Sequence, residues 1–345
     1  MRRGTLFAVA SALAFGITTP GVARLSAGVS PVATAALLYA GAAVIGGASR
    51  LARGAREPGL ARSDAKRLVG IALLGAVLAP TLLAFGLART GAVVGSLVLC
   101  LEAVSAVVFA RLLYAEAASS RMVLALTVMT VAGALLGLSG ASGGGRASVV
   151  GLGALALATV AWGAESALTR AFAERDPFVV VGAKAGLGAT ASAALAWGSG
   201  ATWPGAAAGL GLVVCGALGY GVSLALYVKA QRLVGAGRTA SVFALAPFVG
   251  ALAGLAVDPR PVGTAVVVSG LLFGVGVYLH ATERHAHRHV HPAETHKHPH
   301  RHDDGHHDHP HDAPVAGEHA HAHTHTRLEH AHEHEADVHH AHEHG

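Results

Sequence analysis

Ionisable side chains occur in two unlike settings along this 345-residue chain: a few lie inside long apolar runs, and many crowd a histidine-rich tail. Glu102, Glu165 and Lys184 belong to the first setting. A charge at the centre of a membrane helix costs about 2.5–3.5 kcal/mol on insertion scales, so each must face a partner, the bundle interior or a water-filled cavity. At a rise of about 1.5 Å per residue, Glu102 falls near the midplane, whereas Glu165 and Lys184 fall at matching depth in the cytoplasmic third of their runs. Two readings of that pair stay open: a fixed ion pair locking two helices, and a pair that opens as a cavity changes sides. Glu102 has no cation at its own depth. It is a candidate proton-coupling site, the alternative being a carboxyl hydrogen-bonded to a neighbouring helix.

All 24 histidines lie from His280 onward, most of them in alternating H-x-H runs. The candidate metal ligands are His285, His287, His289 and His291, then His296, His298, His300 and His302, then His319, His321, His323 and His325. Neutral imidazole suits zinc, nickel, cobalt and copper ions, and a flexible chain of such units can offer several nitrogens to one ion. Rich in Pro, Asp and Glu and nearly free of large apolar residues, the tail cannot bury a core and is expected to be disordered. A pH-sensing tail, with histidines near a pKa of about 6.5, and a merely biased extension are the competing readings. No cofactor is required.

The elements that hold these groups derive from composition. With 52% apolar and 13% charged residues and a mean hydropathy of +0.51, the chain falls well below the charge content of about 25% usual for soluble domains, and is read as an integral membrane protein. Residues up to 280 carry 20 basic against 8 acidic residues, and the tail carries 5 against 12. The basic residues sit in short gaps and form no contiguous patch, which argues against a nucleic-acid partner. Cys100 and Cys215 both fall in apolar runs and read as buried thiols. Residues 1–27 have the look of a secretory signal, but the many later spans favour a first membrane helix.

A bilayer core needs about 20 mostly apolar residues per helix. Runs near 5–24, 31–49, 68–88, 92–112, 121–139, 148–169, 178–197, 206–228, 240–257 and 261–280 qualify, which makes ten. With the N-terminus inside, fifteen Lys and Arg fall in inner segments and four, Arg24, Arg89, Arg146 and Arg260, in outer gaps; the positive-inside rule therefore places both termini, and the tail, in the cytoplasm of a cell whose inner membrane holds the protein. Glycines such as Gly182, Gly186, Gly211, Gly216, Gly219 and Gly221 read as packing seams.

Five runs precede the glycine-rich link and five come after it. Ala14-Phe15-Gly16 leads to Ser30-Pro31 as Ala161-Trp162-Gly163 leads to Asp176-Pro177, and Gly91–Ser96 before Leu101-Glu102-Ala103 parallels Gly237–Ser241 before Leu245-Ala246-Pro247. A five-helix unit used twice enters the membrane from opposite sides, an inverted repeat with its site near the midplane between halves. On Phe15-Gly16, Trp162-Gly163, Pro31, Pro177, the stretch Tyr227–Pro247 and Glu116, residues 4–279 resemble the EamA-type transporters of the drug/metabolite transporter superfamily. Departures are Ala103, where the family often has proline, and Tyr39, where many members carry arginine; Lys184 holds the counterpart region. The resemblance implies alternating access for small metabolites or drugs, with Phe15 and Trp162 lining the cavity.

The expected fold is all-α: a first repeat over 1–139, a link over 140–147, a second repeat over 148–280 and a disordered tail over 281–345. The expected function is a secondary-active exporter of a small metabolite or drug, with Glu102, Glu165, Lys184 and Trp162 at the substrate and coupling site and a metal-binding tail. The alternatives are a transition-metal transporter loaded by the tail, and a membrane-anchored metal buffer or sensor. Partners are the lipid bilayer, a small-molecule substrate, metal ions and a second copy in a homodimer. No enzyme chemistry is expected, because the body lacks histidine and any zinc-protease or P-loop pattern.

Overall fold

The computed structural model describes residues 2–53, 59–114, 119–143, 145–172, 175–234, 239, 242–259 and 261–282, and in the tail 285–291, 295–300, 319–324 and 328–334. Glu116, His302 and His325 lie outside the described residues. The chain divides into two compact units, Met1–Glu283 and Arg284–Gly345.

The first unit is helical throughout its described elements. Among the described residues, eight helices are long and apolar enough to cross a membrane: Arg3–Leu25, Pro31–Ala52, Arg62–Thr90, Ala92–Tyr114, Ser120–Leu138, Val149–Thr169, Phe178–Gly198 and Ala206–Ala230. Two shorter apolar helices come after them, Ala246–Val257 and Thr264–His280. The ninth run is shorter than its composition suggests because a turn at Ala244-Leu245 interrupts it, and Asp258 ends it. Pro247 stands in the first turn of Ala246–Val257, where its missing N–H leaves no intrahelical bond unmade. The glycine-rich link is drawn largely into helix: Ser120–Gly143 and Gly145–Thr169 flank residue 144.

Lipid-facing and interior residues sort as a membrane requires. Leu6, Leu51, Leu112, Leu210 and Leu252 are exposed on the outside of the bundle, while Leu38, Leu83, Leu155, Leu212 and Phe273 are fully buried. Without water to drive helices together, close approach rests on small residues. A Cβ added at Gly216 would lie 1.9 Å from the Leu38 carbonyl oxygen, and one at Gly41 would lie 2.0 Å from that of Val213. The helix Pro31–Arg53 thus crosses Ala206–Gly216 backbone to backbone. It also meets Pro177–Gly198 through Gly46 and Gly182. Gly186, expected in such a seam, instead has nothing within 4 Å of an added Cβ.

Among the described residues, two kinds of backbone irregularity recur in the two halves. A π-helical turn spans Leu73–Leu78 within Arg62–Thr90, and another spans Ala217–Val222 within the eighth helix. A turn at Leu99-Cys100 breaks the fourth helix, as the one at Ala244-Leu245 breaks the ninth. Each pair is separated by nearly the step that separates Phe15-Gly16 from Trp162-Gly163. At the mouth of the seventh helix, Asp176 accepts a hydrogen bond from the Phe178 amide at 2.9 Å, with Pro177 in the first turn, an N-cap of the usual kind.

The second unit, by itself, contains two antiparallel strand pairs, β1 (His285–His291) with β4 (Leu328–His334) and β2 (Thr295–His300) with β3 (His319–Thr324). Composition alone predicts a tail without regular structure, and these strands differ from that expectation. The H-x-H alternation has the two-residue period of a strand, so it supports backbone ladders although it cannot build a core.

Candidate substrate cavity

A cavity of about 200 Å³ opens between the halves of the helical body. Glu102, Glu165, Lys184 and Trp162, placed together by sequence reasoning, all line it. Lys184 Nζ lies 3.1 Å from Glu165 Oε1, with both side chains about nine-tenths buried. Helices Gly145–Thr169 and Pro177–Gly198 deliver the two groups, which their position at matching depth in consecutive runs allows. Thr169 Oγ1, one turn from Glu165, donates either to Glu165 Oε1 at 2.9 Å or to its carbonyl oxygen at 2.8 Å.

Glu102 stands in the first turn of Leu101–Tyr114, just past the break at Leu99-Cys100, and its amide donates to the Leu99 carbonyl at 3.0 Å. Its carboxylate faces the cavity and receives no hydrogen bond or ion pair from the described residues. Glu165 and Lys184 both act on it electrostatically. Depth along the chain predicts no cation near Glu102; the cavity is instead tall enough to bring the midplane carboxyl and the cytoplasmic-side pair into one electrostatic neighbourhood.

The π turn of the third helix organises the wall. Such a turn loosens the regular ladder and often marks a functional site. The Gly75 carbonyl within it accepts hydrogen bonds from Trp162 Nε1 at 3.0 Å and from the Tyr39 hydroxyl. A Cβ at Gly75 would lie 2.6 Å from Glu165 Cγ, so glycine is what lets the Glu165 side chain lie against that helix. Across the cavity, Ser11 and Ser223 each bond the other's carbonyl oxygen, Ser11 Oγ at 2.7 Å and Ser223 Oγ at 2.9 Å.

Sequence reasoning misses most of the aromatic wall. Tyr39, Tyr220, Phe15, Phe243 and Tyr227 form a connected series of rings with centroid separations of 5.5, 5.5, 5.7 and 5.2 Å. Family resemblance singles out Phe15 for the cavity and gives Tyr39 and Tyr227 no role there. Apart from Tyr220 and Tyr227, which share the eighth helix, the rings come from different helical segments, so spacing in the sequence does not announce their contact. Near the segment ends expected to face the cytoplasm, Arg175 Nε pairs with Asp64 Oδ2 at 2.9 Å and Arg50 Nη1 with Asp176 Oδ2 at 3.4 Å, each joining one half to the other.

A bundle of many apolar helices of membrane-spanning length, with a cavity between its halves, defines a multi-pass membrane protein. Residues 2–138 match the model of the EamA-like transporter family, a similarity over the first part of the helical body that supports a membrane transporter of small substrates. One solved structure, described only as "Crystal structure of protein", is similar in fold at a TM-score of 0.58 and 24% identity, over 80% of this chain and 94% of its own. No curated protein matches the chain.

Proposed function

We propose that the protein is a secondary-active carrier, working as an exporter, that passes a small organic solute through the cavity by alternating access. The observation that carries this reading is the convergence of Glu102, Glu165 and Lys184 with an aromatic wall in one cavity between the halves. Ten spans arranged as two inverted five-helix repeats, with both termini in the cytoplasm, fit the duplicated π turns and helix breaks. Broken helices beside a midplane site are the usual hardware of such carriers. Glu102 is the proton-coupling residue, the Glu165–Lys184 pair rearranges as access switches, and Trp162 and Tyr39 hold the third helix against the site through Gly75.

The test is proton-driven flux in liposomes holding the full chain: a solute gradient should move protons, and Glu102→Gln should abolish the coupling while leaving the protein folded. Flux unchanged in Glu102→Gln would remove the coupling role.

The tail serves as a binding site for transition-metal ions. The strand register supports this, because it sets His287 opposite His332, His289 opposite His330, His298 opposite His321 and His296 opposite His323. Cutting the chain after Glu283 should remove zinc and nickel binding and leave solute transport intact. If the cut instead abolishes metal movement across the membrane in cells, and Glu102→Gln does the same, then metal is the cargo.

A further inference from the structure

Resting on the carrier reading, we infer that the substrate class of this cavity is an organic cation: a primary to quaternary ammonium carried on an aromatic or branched apolar body.

Charge and shape argue for it together. The chain holds 17 Phe, Tyr and Trp residues in all, and six of them, Phe15, Tyr39, Trp162, Tyr220, Tyr227 and Phe243, line this one cavity. Ring faces carry a negative quadrupole, and a set of them is how proteins recognise ammonium groups. Two carboxylates and one ammonium share the same wall. The ammonium of Lys184 is held at 3.1 Å by Glu165, which leaves the Glu102 carboxylate, with no described donor, as the unmatched charge.

Other solutes fit less well. A neutral solute leaves an ionised Glu102 without compensation, so it would fit only beside the protonated carboxyl, whereas a cation matches the ionised one. An anion would meet two carboxylates and no uncommitted cation on this wall. A zwitterion could set its ammonium on Glu102, but its carboxylate would need a cation, and the ammonium described on this wall, that of Lys184, is held by Glu165. Size agrees as well, since an apolar cavity of about 150 Å³ takes benzene and this one, at about 200 Å³, has room for a ring with a small ammonium head.

The probe is benzyltrimethylammonium, compared with its neutral isostere neopentylbenzene and with zwitterionic phenylalanine, in equilibrium binding to the purified full chain and in counterflow by liposomes containing it. Saturable binding of the cation, at least tenfold tighter than either comparator, is expected. Glu102→Gln should weaken it at least tenfold, Glu102→Asp should retain most of it, and Phe243→Ala should weaken it severalfold; each variant is checked for an unchanged melting temperature.

Phenylalanine or neopentylbenzene binding as tightly as the cation, or a folded Glu102→Gln binding the cation unchanged, overturns the inference. Counterflow of phenylalanine without that of the cation leaves the carrier reading standing and the cation class refuted. Saturable cation binding without counterflow of any of the three keeps the class and refutes the carrier reading.

Discussion

The two halves of the helical body share their backbone irregularities and differ in what their side chains do with them. In the first half the π turn at Leu73–Leu78 presents the Gly75 carbonyl to Tyr39 and Trp162 and leaves room for Glu165. In the second, the π turn at Ala217–Val222 carries Tyr220 into the ring series, and Gly219 there faces Thr18 Oγ1, which a Cβ would meet at 2.2 Å. Phe15 and Trp162 each directly precede a glycine, Gly16 and Gly163, and Lys184 lies in the region of the second half that is the counterpart of Tyr39. A common backbone plan thus frames one cavity, and unequal side chains give it one charged wall and one aromatic wall.

The sharpest way to break this comparison is to load the seams. Gly216→Leu would drive a side chain into the backbone of Leu38, 1.9 Å away at the Cβ alone, and no rotamer change relieves a backbone clash; the expected outcome is loss of folded protein, read by monodisperse yield in detergent. Gly75→Ala meets only the Glu165 side chain, which can move. It should cost about 1–3 kcal/mol of stability and, by pushing Glu165 off Lys184, remove most transport from protein that still folds.

Next in size is the ion pair. Lys184→Met strands a carboxylate about nine-tenths buried and should destabilise by about 3–5 kcal/mol if Glu165 stays ionised. Adding Glu165→Gln should recover most of that loss in thermal melts without recovering flux, whereas full recovery of flux would make the pair purely structural.

The smallest effects separate the halves most finely. Trp162→Phe and Tyr39→Phe each remove one donor to the Gly75 carbonyl, at about 0.6 and at most about 1.7 kcal/mol per interhelical bond in a membrane. Tyr220→Phe removes a hydroxyl for which no described hydrogen bond is present and should leave the melting temperature unchanged. Equal losses for all three would mean that the π turn of the third helix is not specially braced.

Much of this is legible in the sequence for identifiable reasons. Apolar runs of helix length mark spans, so eight of the ten expected runs are helices long enough to cross a membrane, and the other two are apolar but shorter. Glu165 and Lys184 can be paired because consecutive antiparallel runs put equal depths side by side. Glu102 is visible as a charge in an apolar run, but its place beside that pair is not, since depth along separate helices says nothing of lateral position. The helix breaks at Leu99-Cys100 and Ala244-Leu245 and the π turns carry no distinctive residue types. In the tail the alternation is plain, yet composition argues for disorder, and only the register sets histidine opposite histidine.

Sequence by itself determined the class of the molecule, because hydropathy, buried charge and the distribution of basic residues are one-dimensional consequences of the bilayer. Tertiary structure alone decided the site. The Gly75 carbonyl becomes an acceptor for two helices, five rings become one wall and Glu102 joins the ion pair's cavity only when helices cross at their glycines, and crossing angle and rotation are set by packing between segments far apart in the chain.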